Sequence, residues 1–244
     1  MPVRPGLLLP LDHYELTAGD KRLMLEEEAL GLVPVDDPGL GQPAQPIREE
    51  ALSSKVVQQA IERLRIAATG QRGSGNQRRR SYLMVGLAAP QVGVGLRIIV
   101  IDTEIQADRR KPGKLVYYIN PKIVWRSRET EEGMEGCFSA GIVRGLVRRP
   151  IAVKIRAFTL EGKRIERIFE DFTARIVQHE IDHLDGVRFP DRIRSECKCH
   201  WVHTEELVAY RKAFRHWRRH CSQACWQALK QGKTLRGGIV DSSE

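Results

Sequence analysis

Two histidines and a glutamate stand at a spacing that could bind and use a metal ion. In the segment QHEIDHLDG, His179 and His183 are four residues apart, and Glu180 follows the first of them. On a helix, residues four apart project from one face about one turn apart, so both imidazoles could hold the same cation. Glu180 would lie beside that cation, free to act as a base. So short a motif also occurs on surface helices with scattered charged residues, and that interpretation stays open here.

A catalytic site of this kind needs three protein ligands and one open position for water, so a third ligand must come from elsewhere. The metzincin pattern would place a histidine six residues beyond His183, but Phe189 stands there, which excludes that class. Glu205 is a thermolysin-like candidate, although it falls in a segment that predicts a separate helix. Cys137, in the segment MEGCFSAG, is the better candidate. A lone cysteine is, however, equally typical of a small buried hydrophobic residue.

The helix that carries the histidines must be positioned by other elements. Apolar residues recur at helical spacing after Asp171, which we expect to be the N-cap, and Gly186 stands where a C′ glycine belongs. The same spacing predicts another helix over residues 53–68, with Ser53 or Ser54 as N-cap.

Further segments are rich in β-branched and aromatic residues and are bounded by glycine, proline or charge, which is typical of strands. They are LRIIVID at 96–102, LVYYINPKIVW at 115–125, IAVKIRAFTL at 151–160 and RIERIFE at 164–170, with a hairpin turn at 160–163. Several strands followed by a helix, without regular alternation, predict an α+β fold. We expect mixed or antiparallel sheets around a central helix that carries the HExxH motif, with a further helix at the C-terminus.

Composition divides the chain into three parts. Residues 1–36 are interrupted by proline and glycine and predict an irregular N-terminal extension. Residues 37–194 form the expected catalytic domain, in which the Gly- and Arg-rich stretch 69–81 predicts a flexible basic insertion. Residues 195–244 are expected to form a basic C-terminal helix and a disordered tail that begins at Gly232.

Charge and cysteine usage limit the class of protein. The 244 residues carry a formal net charge of +9, so the surface attracts polyanions such as nucleic acid. Five cysteines form an odd set, with four near the C-terminus, which indicates a reducing compartment and no disulfide framework. Their mixture with histidines there is no familiar zinc pattern. No apolar run approaches a membrane span, so we expect a cytoplasmic protein, and early acidic residues make an organellar location less favoured.

Three short motifs in this chain resemble those of the peptide deformylase family. They are GLAAPQ at 86–91, EGCFS at 135–139 and QHEIDH at 178–183, within a resemblance that covers residues 37–191. The resemblance implies a metal-dependent hydrolase that removes the formyl group from N-formylmethionine on nascent polypeptides. It also implies that Cys137, His179 and His183 hold one divalent metal ion per chain. Fe²⁺ is expected, with Zn²⁺ or Ni²⁺ able to occupy the same site.

The resemblance assigns catalytic roles to three further positions. Glu180 would move the proton from water to the leaving amine, a role commonly worth about 10² to 10⁴ in rate. The side chain of Gln91 and the backbone N–H of Phe138 would face the formyl oxygen. A donor that stabilises a developing oxyanion is typically worth about 2.7 to 4 kcal/mol.

The resemblance further implies that the backbone of Val85 and Gly86 binds the substrate peptide, and that Arg144 lies along the same cleft. The sequence departs from the family pattern near these positions. Met84 replaces a glycine, Phe138 replaces the usual leucine after the cysteine, and the SAG segment that follows lacks a common proline. We expect these differences to reshape the pocket lip and substrate preference, with Met84 narrowing the cleft.

Residues 207–224 carry apolar side chains at steps of three and four, which predicts a long C-terminal helix with one apolar face. Arg211, Arg215 and Arg218 lie largely off that face. One interpretation is a helix packed on the domain with a solvated basic face. The resemblance implies another, ribosome contact, because bacterial deformylases dock through a basic C-terminal helix. The expected partners are N-formylmethionyl nascent peptides and the ribosome, with no membrane, and we expect a monomer.

Two alternative functions stay open at this point. A metallopeptidase could use the HEIDH motif, although Phe189 and the two upstream motifs disfavour it. A deformylase-like protein without activity could instead serve as a basic ribosome- or RNA-binding module. Retention of the three candidate ligands together with Glu180 and Gln91 favours the enzyme.

Overall fold

The computed structural model describes residues 16–70, 84–104 and 113–233, together with the backbone of two short strands beyond residue 234. The predicted basic insertion lies outside these residues from position 71 onward, and so does most of the predicted disordered tail. No helix among the described residues is both long enough and apolar enough to cross a membrane.

The described residues form α-helices, strands and several short 3₁₀ turns. The α-helices are α1 (Ala18–Glu28), α2 (Lys55–Thr69), α3 (Asp171–Leu184), α4 (Leu207–Ala213) and α5 (Gln223–Lys230). The strands are β1 (Gly86–Ala88), β2 (Ile98–Asp102), β3 (Leu115–Arg126), β4 (Thr130–Gly136), β5 (Val143–Pro150), β6 (Ala152–Phe158), β7 (Arg164–Glu170), β8 (Cys199–Trp201), β9 (Leu235–Arg236) and β10 (Ile239–Val240).

The strands form two main sheets. One has five strands in the order β1-β2-β3-β6-β7, and the other has three in the order β4-β5-β8. Neighbouring strands in both sheets are antiparallel. β1 is an edge strand, so one side of its backbone is not paired within the sheet. This combination of helices and antiparallel sheets confirms the predicted α+β class.

Local sequence signals located several of these elements correctly. α2 begins after Ser54, whose hydroxyl accepts a hydrogen bond from the Val57 N–H, and it ends at Gly70 with a φ of 70°. Gly186 follows α3 with a φ of 72°, as a C′ glycine should. The predicted strands correspond to β2, β3, β6 and β7, and Gly162 turns the chain between the last two. The sequence pattern does not predict β4 or β5, because charged residues and glycines interrupt the alternation of apolar and polar residues in these two strands.

α3 connects the two sheets. It contacts β1, β2, β6 and β7 of the larger sheet and β5 of the smaller one. Val177, Ile181 and Leu184 lie on one face of α3 and are buried in a core cluster with β2 and β6. The N-cap is Glu170, which corrects the prediction of Asp171; that residue is the first of the helix and has a φ of 50°.

The N-terminal extension is not irregular throughout, which corrects the prediction. α1 begins with a capping box between Thr17 and Asp20, and no proline interrupts the helix. α1 is also held by the C-terminal part of the chain. The Asp20 carboxylate accepts hydrogen bonds from Nδ1 of His203 at 2.6 Å and from the backbone N–H of Thr204 at 2.8 Å.

The C-terminal segment is not one long helix, which corrects a second prediction. α4 ends at Ala213, and α5 begins only at Gln223. Between them the chain runs beside β8, where the N–H of Cys221 donates to the carbonyl of Cys199 at 2.8 Å. Pairing with a strand therefore overrides the helical periodicity that this segment shows.

Candidate active site

The three predicted metal ligands come from two elements and meet at one point. His179 and His183 lie one turn apart on α3, with ring centroids 5.0 Å apart. Cys137 follows directly after β4, and its Sγ lies 3.2 Å from Nε2 of His183. One ligand atom from each of the three residues lies within 4.8 Å of the others. In the described part of the chain, no other group of His, Cys, Asp and Glu side chains converges in this way.

The geometry of this cluster fits a divalent ion. Typical zinc bonds to sulfur and nitrogen place two tetrahedral ligand atoms about 3.6 Å apart, close to the spacing between Cys137 and His183. Burial lowers the pKa of His183 well below its ordinary value, so the imidazole is neutral, as a metal ligand must be. Burial also lowers the pKa of His179, but hydrogen bonds to Cys137 and Glu135 outweigh burial and raise it well above the ordinary value. Surroundings that attract a proton to this ring also attract a metal cation.

Glu135 fixes the orientation of the His179 ring. Its Oε2 accepts a hydrogen bond from Nδ1 of His179 at 2.9 Å. Burial raises the pKa of Glu135, but hydrogen bonds from Arg149 and His179 outweigh burial and hold the pKa well below its usual range. Because an ionised carboxylate only accepts, His179 carries a proton on Nδ1 and can offer Nε2 to a metal. Glu135 was not among the predicted site residues, although it stands two residues before Cys137 in the EGCFS motif.

Two arginines neutralise the buried Glu135 carboxylate. Arg149 donates to its two oxygens at 2.7 and 2.9 Å, and Arg175 donates to Oε1 at 2.8 Å. Arg149 also donates to Asp182 of α3 at 2.8 Å. This network ties β4 and β5 to the helix that carries the histidines. None of its members was predicted, because charged residues are mostly exposed and only the tertiary structure decides which are buried.

Glu180 is buried against the start of β1. The residue is only 4% exposed, and burial raises the pKa of its carboxyl group to about 7. Among the described residues, its Oε2 has no hydrogen-bond partner. The absence of a side chain at Gly86 makes room for it, since a Cβ there would lie 2.6 Å from Oε1 of Glu180. A carboxyl group with a pKa near neutrality can both accept and return a proton.

Gln91 directs its amide at the cluster. Its Oε1 accepts a hydrogen bond from the backbone N–H of Ala88 at 2.8 Å, which fixes the amide orientation. Its Nε2 then donates to Oγ of Ser139 at 3.2 Å and to Sγ of Cys137 at 3.3 Å. Phe138 begins the 3₁₀ turn that follows the cysteine. Both predicted oxyanion donors therefore lie beside Cys137.

Two other candidates are not part of the cluster. Arg144 turns back on its own loop and donates to the carbonyls of Gly141 at 2.6 Å and Val143 at 2.7 Å, and burial lowers its pKa. Glu205, the thermolysin-like candidate, instead accepts a hydrogen bond from Oγ1 of Thr17 at 2.9 Å, next to the start of α1. The interpretation of Glu205 as the third ligand is therefore wrong.

Met84 and Val85 precede β1 and point into different parts of the interior. Met84 is 6% exposed and belongs to the core cluster beneath α2, together with Leu64 and Leu87. Val85 is partly buried and packs against the cluster that contains Ile176 of α3. The side chain of Met84 thus contributes to the core, and its effect on the cleft stays a prediction.

Several of the cysteines and histidines near the C-terminus take part in packing, whereas Cys197 and His216 are exposed. Cys199 and Cys221 are buried in a core cluster with Trp226. His200 is hydrogen-bonded through both ring nitrogens, to the Tyr210 hydroxyl at 2.9 Å and to a backbone carbonyl at 2.9 Å. Burial lowers its pKa to about 4, so this imidazole is neutral and structural.

The fold and the cluster together define an α+β protein in which a Cys–His–His cluster that could hold a metal ion lies beside a buried glutamate. Residues 29–198 match the profile of the family described as "Polypeptide deformylase". The chain belongs to that family, and deformylase activity is its enzymatic function. Neither the metallopeptidase nor the inactive module is favoured by any of the similar proteins.

Individual relatives support this assignment. The peptide deformylase of Desulforudis audaxviator is 40% identical over 148 residues, which cover 60% of this chain and 86% of that protein. "Peptide deformylase 1A, chloroplastic" of Solanum lycopersicum is 34% identical over 173 residues, 66% of this chain and 58% of that protein. An actinonin-bound class I type b peptide deformylase from Acinetobacter baumannii is similar in structure, with a TM-score of 0.54 and 32% identity, covering 67% of this chain and 97% of that chain.

Proposed function

We propose that this chain hydrolyses the formamide bond of N-formylmethionine at the N-terminus of nascent polypeptides. The observation that carries the proposal is the convergence of Cys137, His179 and His183 within 4.8 Å, with Gln91 and Glu180 beside them. Metal-dependent hydrolysis of an amide uses a bound metal ion, a neutral amide donor and a carboxyl group whose pKa is near neutrality.

The thiolate of Cys137 and the imidazoles of His179 and His183 would hold one divalent ion per chain. We expect Fe²⁺, with Zn²⁺ or Ni²⁺ able to bind the same ligands, because first-row metals share these preferences. A bound ion of this kind supplies acidified water and polarises the formyl carbonyl. The residues around it keep the ligands fixed, as Glu135 does for His179.

Gln91 and Phe138 would stabilise the formyl oxygen as it gains negative charge. The Gln91 amide is already oriented, since its Oε1 is bound by the Ala88 N–H and its Nε2 points to the cluster. A donor fixed before the reaction needs no reorganisation when the charge develops, and each is worth about 2.7 to 4 kcal/mol.

The substrate peptide would pair with the free edge of β1, near Val85 and Gly86. An extended peptide can add to an edge strand through main-chain hydrogen bonds. Gly86 is also where the chain approaches Glu180, so a peptide bound there would bring its N-terminus to the carboxyl group. Arg144 stays a candidate for a further substrate contact, although its guanidinium now binds backbone carbonyls.

Glu180 would take a proton from the attacking water and return it to the leaving amine. The test is turnover of formyl-Met-Ala-Ser after anaerobic purification, with metal content measured on the same samples. Glu180→Gln should lower turnover by about 10² to 10⁴ and retain the metal. Glu170→Gln is the matched control, since Glu170 is exposed and its side chain does not cap α3. Full turnover by Glu180→Gln or by Cys137→Ala would overturn the proposal.

The same proposal extends to organisation and location. We take residues 37–194 as the catalytic domain with α3 as its central helix, acting as a monomer at cytoplasmic ribosomes. Arg211, Arg215 and Arg218 are exposed, which supports ribosome contact. Reversing these three charges should weaken ribosome binding and flatten its dependence on salt. Binding that stays unchanged would remove this contact from the proposal.

A further inference from the structure

A cavity of about 480 Å³ opens on the side of α3 opposite to the metal ligands. Ile181 and Asp185 line it from the end of α3. At about 100° per residue, these positions lie roughly 200° and 240° around the helix from His179, whereas His183 lies at about 40°. The thickness of the helix therefore separates the cavity from the candidate active site.

The walls of this cavity are held in place by hydrogen bonds. Arg97 donates to the carbonyl of Leu184 at 3.2 Å and to Asp185 at 2.7 Å. Asn120, whose φ of 51° is unusual for a residue with a side chain, accepts from the N–H of Ile47 at 2.8 Å and donates to its carbonyl at 2.6 Å. Such a backbone conformation persists only where the surroundings fix it. The part of the wall formed by Arg97 and Asn120 is therefore fixed by the protein itself.

The lining carries an excess of positive charge. Arg97 is paired with Asp185, which leaves the cations of Lys122 and Arg126 on β3. Both are exposed, and within the described residues neither side chain has a hydrogen bond or an ion pair. Two cations of the lining that have no such partner within the described residues attract an anion.

We propose that this cavity binds a small organic anion, in which a phosphate or carboxylate is joined to a compact apolar group. Its volume falls in the range of about 300 to 1,000 Å³ that small-molecule sites occupy, and exceeds what a single ion needs. Lys122 and Arg126 bind the anionic end through charge-assisted hydrogen bonds. Ile123 and Ile181 contact the apolar end. The ligand thus rests against the last turns of α3.

The test is calorimetric titration of the metal-loaded full chain with phenyl phosphate, which combines both features. The expected result is saturable one-site binding that weakens at least tenfold in the double variant Lys122→Gln/Arg126→Gln. The matched control is Lys55→Gln/Arg63→Gln on α2, which removes two exposed cations outside the cavity and should bind like the parent. All four side chains are exposed, so both variants should fold, and thermal melting checks this.

Three results would overturn the proposal. Equal binding by the parent and by Lys122→Gln/Arg126→Gln would show that phenyl phosphate binds at another site, such as the metal ion at the Cys–His–His cluster. No saturation at tens of millimolar would show that the cavity does not select such anions. A single-stranded oligonucleotide that binds through Lys122 and Arg126, while phenyl phosphate does not, would make these two residues part of a nucleic-acid surface. None of these results bears on deformylase turnover, so the two proposals fail separately.

Discussion

Replacing Glu135 with glutamine should disturb metal binding through the protonation of one imidazole. The Glu135 carboxylate accepts four hydrogen bonds, two from Arg149 and one each from Arg175 and His179. A glutamine offers only one acceptor oxygen. Its NH₂ group replaces the second oxygen and must therefore face groups that also donate. The less costly arrangement turns the NH₂ toward His179, which can move its proton to Nε2 and accept on Nδ1. In that tautomer Nε2 no longer binds a metal.

The size of the effect follows from the geometry. Loss of an outer partner of a metal-binding imidazole typically weakens metal binding by about 10- to 100-fold. Breaking a buried ionic network usually costs about 3 to 5 kcal/mol of folding free energy. Asp182 still pairs with Arg149 in the Glu135→Gln variant, so we expect the lower end, about 3 kcal/mol.

Metal affinity is to be measured by competition with a chromophoric Zn²⁺ chelator, and stability by urea unfolding of the same samples. Glu132→Gln is the matched control, because Glu132 lies on the same strand and pairs with Lys198 rather than with His179. The control should keep its metal affinity. If Glu135→Gln binds Zn²⁺ as tightly as the parent does, the role assigned to Glu135 is refuted.

Other substitutions test the neighbouring residues Gly86, Met84 and Asp20. Gly86→Ala places a Cβ 2.6 Å from Oε1 of Glu180, so turnover of a formyl peptide should fall by about 10²-fold while metal content stays normal; unimpaired turnover would contradict this. Met84→Gly should lower the urea-measured unfolding free energy by about 2 to 5 kcal/mol, and an unchanged KM for formyl-Met peptides would rule out narrowing of the cleft. Burial opposes ionisation of Asp20, but hydrogen bonds, first from Thr204, lower its pKa from 3.8 to about 2. It therefore contributes about 2 kcal/mol of stability above pH 4 that is lost as the pH falls through 2, and Asp20→Asn should abolish this dependence in acid-unfolding curves.

The local sequence determined those elements and motifs of this protein that are specified by residues close to one another along the chain. The Ser54 cap and apolar periodicity located α2, and apolar periodicity with Gly186 at the C′ position located α3, since such signals report hydrogen bonds and burial along a single helix. The spacing of His179 and His183 likewise has one geometry on a helix, so it predicted two candidate ligands. The order of three short motifs then pointed to Cys137 and to the family.

Only the tertiary structure decided which charged residues are buried and which segments with helical spacing of apolar residues form a helix. Glu135 and Arg175 look like ordinary surface residues in the sequence, yet they meet across β4 and α3 and hold the His179 ring. The segment between α4 and α5 has helical spacing, but its backbone pairs with β8 instead, as Cys221 does with Cys199. Burial and strand pairing depend on partners that are distant along the chain, and no short stretch of sequence contains both partners.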